Sequence, residues 1–520
     1  MTQIAAPIAG TTELEETTEF ALHEKAKLQK SLSGFDMVFF TLCAFVGLDT
    51  LGLVAAAGTE GFTWLVLLAV LFVFPYALVL AELGSTFTEE GGPYEWVKMS
   101  FGRFQASIAA VFYWVTNPLW VGGSLAFVAS DAWASTTLPG LQIGELGKAG
   151  DYVFKFLFIW FSIGVAIASL KRGKWIPTAG GFARIFVLGF FTITVGIYAI
   201  KNGVEGIALG DLSPSMAIFL GLVPYLLFNY VGFELQNGAA EEMVNPARDV
   251  PLSVARSGVL GVSLYVIPVL GILLVLPKEK VTGIGGFVDA IRETFTVYGG
   301  AQNALYAITA VGFIFCLLTS GAVWMIGSDR IQAVSAYDGG FFPYFGVFNE
   351  KLGTPVRVNT FSGITSTVFM VVAVLMLKSA GGAAAFTVVL TIAISTTLIS
   401  YLWIFPAALK LRYVHPDVKR PYRVPGGTPG IWVATLLITF WVALGSWVAV
   451  FPGTLERLFG IDYSFAETWG VTHLKYEVLT IGTLLVIFVV AAVGYLAGAS
   501  VRARSVVVPL PTESLVPEPA

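Results

Sequence analysis

Apolar residues run in blocks of about 20, the length needed to cross a hydrocarbon core, and polar residues gather between the blocks. About twelve membrane-crossing helices are expected on that criterion, over residues 34–57, 63–84, 104–131, 152–170, 178–200, 214–238, 255–276, 302–327, 357–378, 384–409, 430–451 and 476–498. Two blocks are interrupted. The first carries "VGLDTLG", with Asp49 between Gly47 and Gly52, and the sixth carries "NYVGFELQNGAAEE", from Asn229 to Glu242. With five spans per unit, these are the first span of each half, and paired interruptions at corresponding positions point to inverted repeats. Backbone freed by such a break must face a cavity or other protein, because lipid cannot satisfy it. The expected organisation is a cytoplasmic N-terminal tail (1–33), a first repeat (34–200), a second repeat (213–410), two appended spans (430–498) and a disordered cytoplasmic C-terminal tail (499–520).

Composition agrees. The chain is 56% hydrophobic and 12% charged, with a mean hydropathy of +0.79, whereas soluble domains carry about 25% charged residues. An all-α integral membrane protein is expected, and a large soluble core is excluded. The opening "MTQIAAPIAGTTELEETTEF" is acidic and has no basic or short apolar core. No signal peptide is expected there, so the first span would act as its own insertion signal. Lys and Arg concentrate in "HEKAKLQK", "VKMSFGR", "KRGK" and "KLRYVHPDVKRPYR", which places these loops and both termini on the cytoplasmic side of the plasma (inner) membrane. Cys43 and Cys316 lie in apolar blocks and exclude a disulfide framework. His23, His415 and His473 are far apart, so neither a metal nor a cofactor is expected. A membrane-embedded enzyme would need acids or histidines clustered at one face. No such set is present, and enzymatic and nucleic-acid functions are not expected.

Several stretches resemble the amino acid–polyamine–organocation superfamily of secondary transporters, of the amino acid permease type. "AELGSTFTEEGGPYEWVKMSFG" is similar to that family's first cytoplasmic loop, and "FNYVGFELQNGAAEEMVNPARDVP" to its sixth span and exit. "GSDRIQAVSAYDGGFFPYF" and "KRPYRVPGG" resemble its patterns after span 8 and before span 11. The resemblance implies a LeuT-like five-plus-five inverted repeat with helices 1 and 6 broken, working by alternating access. Substrate would lie between spans 1, 3, 6 and 8. One departure matters: the family's first break is short and Gly/Ser-rich, and here it contains Asp49. Some polyamine-transporting relatives also carry an acid there.

An acid at a membrane helix centre costs about 2.5–3.5 kcal/mol on insertion scales. Asp49 could offset that by pairing with a substrate ammonium, or by capping a half-helix that starts near Thr50. Either use disfavours a substrate carboxylate at that helix end and favours amines, or amino acids whose carboxylate is held elsewhere. The candidate pocket comprises Gly47, Leu48, Asp49, Thr50 and Gly52 in the first break and Asn117 and Trp120 in span 3. It continues with Phe228, Tyr230, Val231 and Gly232 in the sixth span and Ser320 and Trp324 in the eighth. Phe228 is an aromatic gate or core packing. Pro118 should free a carbonyl near Trp114. By the resemblance Glu234 is a coupling or gating acid, with helix-end hydrogen bonding as its other reading. Thr319 and Ser320 could serve a sodium ion or bond back to their own helix.

Arg184 is the candidate for a fixed charge in span 5, where some proton-coupled relatives hold a Lys in the sodium position. Its other reading is a snorkelling cytoplasmic arginine. A guanidinium does not release its proton, so a coupling proton would be carried by Glu234 or Asp49. Glu82, Glu89, Glu90, Glu241, Glu242, Arg248 and Arg330 are expected to be solvated loop charges with some gate pairing. The expected function is secondary active transport of amino acids or related amines, as a symporter or antiporter. Protons are the expected coupling ion and sodium the alternative. A non-transporting sensor on the same fold is the rival class. The partners are a small-molecule substrate and lipid, and no oligomeric state is implied.

Overall fold

The computed structural model describes residues 14–136, 143, 145–168, 174–204, 207, 209–276, 286–380 and 383–509. A strand β1 (Leu14–Thr18) and helix α1 (Glu19–Lys25) lead into α2 (Gly34–Phe45), α3 (Leu51–Ala56), α4 (Gly58–Thr86), α5 (Gly92–Phe101), α6 (Arg103–Trp120) and α7 (Ala126–Ala134). The chain continues through α8 (Ala149–Ile167), α9 (Trp175–Asn202), α10 (Met216–Phe228), α11 (Pro246–Val275), α12 (Gly286–Thr294) and α13 (Gln302–Tyr337). It ends with α14 (Val356–Ala380), α15 (Ala383–Val414), α16 (Gly427–Val450), α17 (His473–Ala497) and strand β2 (Ser505–Pro509). Among the described residues nine helices are long and apolar enough to cross a membrane, and the chain is an integral membrane protein. In lipid such segments must satisfy their own backbone, which is why apolar blocks become helices.

The remaining expected blocks differ for physical reasons. α2–α3 and α10 are the interrupted ones. α6 and α7 run on through a π-type turn at Val121–Leu125, just after Pro118, and every residue from 106 to 130 is buried. That block is internal and can be more polar than a lipid-facing one. Burial ranks the others: the apolar window of α15 is 83% buried and that of α17 only 22%, so α15 is central and α17 peripheral. α2 starts on a capping box, with Ser33 Oγ accepting from Asp36 N and Asp36 Oδ2 accepting from Ser33 N, a pairing that satisfies two otherwise orphan donors.

The described parts of both tails are folded, contrary to the disorder expected for 499–520. β1 and β2 pair antiparallel, from Leu14 opposite Pro509 to Thr18 opposite Ser505. Thr18 Oγ1 donates to Tyr337 O (2.7 Å), and Ser31 N and Leu32 N donate to Glu242 O (2.8 and 2.9 Å). The β-branched run Val506–Val508 supplies strand propensity, but it needs the other terminus to pair with. Residues 1–13 and 510–520 lie outside the described residues.

Candidate functional site

α2 ends at Phe45, and helix resumes only at Leu51. A helix end leaves about four carbonyls without partners, and here side chains from three other helices take them. Arg184 of α9 donates through Nε to Val46 O (3.0 Å) and through Nη2 to Cys43 O (3.3 Å). Trp324 of α13 donates to Ala44 O (2.9 Å). The Tyr265 hydroxyl of α11 is shared between Phe45 O (3.2 Å) and Gly47 O (2.8 Å). The first break is therefore held open by a built set of donors.

Arg184 is fully buried, which removes the snorkelling reading. Its other contacts are Gly180 O (2.9 Å), Cys316 O (2.8 Å), Thr319 Oγ1 (2.9 Å) and Ser320 Oγ. The hydroxyl pair considered for sodium thus receives a guanidinium.

Asp49 is also buried. Its Oδ2 accepts from Trp120 Nε1 and Ser124 Oγ, both at 2.7 Å. It does not cap α3: the N-cap is Thr50, with no side-chain cap bond, and the Thr50 hydroxyl instead donates to Asn229 Oδ1. Gly47, Asp49, Trp120, Phe228 and Trp324 line one cavity, together with Asn229 and Tyr265. Its volume is about 10 Å³, room for roughly one water. Trp120 meets Phe228 edge-on at 5.5 Å between centroids and Trp324 at 6.1 Å. With Phe45, five aromatic residues therefore line the cavity that holds this one carboxylate. Among the described residues no Lys or Arg pairs with Asp49.

The other sequence candidates lie around this cavity rather than in its wall. Leu48 and Val231 are buried core, Gly52 is inside α3, and Ser320 faces Arg184. Tyr230 donates to Leu65 O (3.0 Å) and packs edge-on against Tyr265. Asn117 is buried with both amide atoms unpartnered. Ser124, Asn229 and Tyr265 were not expected. Ser124 sits one turn after Trp120 and Asn229 next to Phe228, signals a reading for polar residues inside apolar blocks could use. Tyr265 has no such local mark.

The second break follows α10. Tyr76 of α4 accepts from Gly232 N (3.0 Å) and Phe233 N (3.1 Å) and donates to Glu234. Glu234 also accepts from Tyr113 of α6 (2.6 Å) and Tyr401 of α15 (2.7 Å). Gly232 has φ +122°, and a Cβ there would lie 3.1 Å from Ala44 C, so the two breaks touch where only glycine fits without strain. Gly232→Ala is expected to cost about 1–3 kcal/mol. Thermal unfolding beside Gly221→Ala, a helical glycine with open space around it, checks this. Equal stability of the two variants would show that the approach is not constraining.

A model of the amino acid permease family matches residues 32–470. The chain belongs to the amino acid permease family. Its relatives include a probable agmatine/putrescine antiporter of Lactococcus lactis, 29% identical over 80% of this chain and 87% of the relative. An uncharacterized transporter of Legionella pneumophila is 31% identical over 77% of this chain and 85% of its own. A glutamate/gamma-aminobutyrate antiporter of L. lactis is 24% identical over 71% and 73%. The family is one of transporters, not enzymes.

At the end of the permease that bears its termini, charges expected to be solvated are largely buried: Glu82, Glu90, Glu242 and Arg330. Arg330 pairs with Glu242 (2.7 Å) and Glu90 (3.5 Å), and Lys25 with Glu89 (2.7 Å) and Glu241 (2.9 Å). These contacts join the segment after α4, the segment after the second break, α13 and α1. Burial, and then the Glu242 carboxylate, push Glu90 well above the usual carboxylate range, against the pull of Arg330. A carboxyl raised in the folded state favours folding while protonated and loses that contribution as pH rises through its raised value. Glu90→Gln should therefore flatten the alkaline limb of stability against pH and exceed wild type there. An unchanged limb in a pH-resolved melting series would refute it.

Proposed function

We propose that the permease is an exchanger of organic amines, with diamines and guanidino amines as its class. The observation that carries this is Asp49: a buried carboxylate with no cationic partner among the described residues, in a cavity lined largely by aromatic rings. Such a site suits a cation by charge pairing and by attraction to ring faces. It disfavours a substrate carboxylate, which would meet the Asp49 carboxylate. The agmatine/putrescine antiporter among the relatives supports the reading.

Twelve crossings in a five-plus-five inverted repeat plus two helices, with both termini cytoplasmic, form the proposed frame, and rocking about the two breaks gives alternating access. The 10 Å³ cavity must widen to admit an amine. Arg184 fills the place a sodium ion would need, so exchange is sodium-independent, and protons are the coupling ion when a gradient drives net uptake.

Counterflow tests this. Proteoliposomes preloaded with putrescine should accumulate labelled putrescine and agmatine equally well in sodium and potassium buffers, and glutamate should compete poorly. Exchange of glutamate or γ-aminobutyrate without amine exchange would overturn it.

A further inference from the structure

Another buried acid lies away from both breaks. Asp329 of α13 is fully buried. Its Oδ1 accepts from Trp114 Nε1 of α6 (3.0 Å) and Ser362 Oγ of α14 (2.7 Å), and its Oδ2 from Asn359 Nδ2 of α14 (2.6 Å). All three donors are neutral. The adjacent Arg330 points to Glu242, Glu90 and Gly353 O. Of the other charged or titratable groups on the packed helices, Arg103 of α6 bonds Asp338, Tyr113 of α6 bonds Glu234, and Arg357 of α14 bonds Tyr344 O.

Two features make this more than a satisfied structural acid. First, Asn359 Oδ1 is buried without a partner. A half-turn of that amide would exchange its donor for an acceptor, so the cluster can meet either a carboxylate or a carboxylic acid O–H. Second, the seam between α6 and α13 is polar from Asp329 to the end bearing the termini. Gln332, one turn along, is buried with both amide atoms unpartnered, and Ser335 Oγ is unpartnered too. Ser335 and Ser107 of α6 flank Gly340. Beyond them Asp338 accepts from Tyr94 (2.9 Å) and Arg103 (3.0 Å), and Arg103 reaches Glu16, whose side chain is 60% exposed. Buried unpaired polar groups in such a row call for water, and a row of waters conducts protons.

We propose that Asp329 binds and releases the coupling proton, which reaches it along the α6–α13 seam from the end bearing the termini. This rests on the proton-driven mode of the reading above and moves the carrier away from Asp49 and Glu234. The step is one proton from solvent onto a carboxylate oxygen, with the Asn359 amide turning to accept the new O–H. Glu234 is less suited: three tyrosine hydroxyls hold it, and that of Tyr76 is fixed by two amides.

Infrared difference spectra of the full-length protein in lipid, recorded during a pH titration, test the site without any substrate. A protonated-carboxyl component should grow on acidification, persist in Glu234→Gln and in Glu90→Gln, and be missing from the Asp329→Asn spectra. A band unchanged in Asp329→Asn overturns the proposal. Should that variant fail to fold, Gln332→Leu keeps the acid and dries the path. Proton-driven putrescine uptake should then fall about tenfold or more while counterflow stays at the wild-type rate. Equal effects on both, or on neither, overturn it as well. Failure of wild-type amine counterflow would instead reject the substrate reading and leave the infrared titration to decide the proton site.

Discussion

Replacing Asp49 by Asn is expected to weaken amine binding by two to three orders of magnitude while leaving the fold intact. The side chain keeps its shape, and an amide oxygen can still accept from Trp120 Nε1 and Ser124 Oγ, which both bond Asp49 Oδ2 at 2.7 Å. What disappears is the counter-charge. Leaving one partner of a buried ion pair alone costs about 3–5 kcal/mol, which at 1.4 kcal/mol per tenfold is roughly two to three decades in dissociation constant. The alternative that Asp49 serves the backbone is already weakened, because α3 is capped at Thr50 without any side-chain bond. The remaining rival is that Asp49 only orients Trp120, and in that case Asn would do nearly as well. Titrating putrescine against both proteins separates the two, with thermal stability as the control. An unchanged dissociation constant would leave Asp49 as a positioning residue for the indole.

The parts of this site legible in the sequence were those marked by a local contradiction. Asp49 and Glu234 stand out as acids inside apolar blocks, and both lie at helix breaks. Trp120, Phe228 and Trp324 were legible only through the family pattern, since aromatic residues are common along this chain. Long-range partners were not legible. The hydroxyls on Glu234 come from Tyr76, Tyr113 and Tyr401, three helices scattered along the sequence, and no periodicity links them. Tyr265 is the same case: its role is to hold two carbonyls of a break some 220 residues earlier. The terminal strands failed for a related reason. Val506–Val508 reads as a strand former, but a strand is stable only with a partner, and that partner is the opposite terminus. The nine long helices among the described residues were the easiest part, because the requirement for internal backbone bonding in lipid acts on each segment alone.

Arg184→Leu should be the most destabilising single change near the site. Its guanidinium reaches α2, α9 and α13 at once. Val46 O lies 3.0 Å from Nε, and no other donor to it is found among the described residues. Stranding one buried carbonyl costs about 1–3 kcal/mol, and replacing a large, fully packed side chain by a smaller one adds about 2–5 kcal/mol of lost packing and cavity. A loss of at least about 3 kcal/mol is therefore expected, seen as a lower unfolding temperature in lipid or detergent. Arg184→Lys separates charge from geometry. The ammonium has three donors on one nitrogen and cannot bond Val46 O on one side and Cys316 O and Ser320 Oγ on the other as the planar fork does. If the fork matters, Lys should behave more like Leu than like Arg. If charge alone matters, Lys should restore stability and sodium-independent exchange together. Wild-type stability in Arg184→Leu would mean that the first break is held by Trp324 and Tyr265 alone. The guanidinium would then be a filler of the site that a sodium ion would otherwise need, and exchange by that variant should become sensitive to sodium.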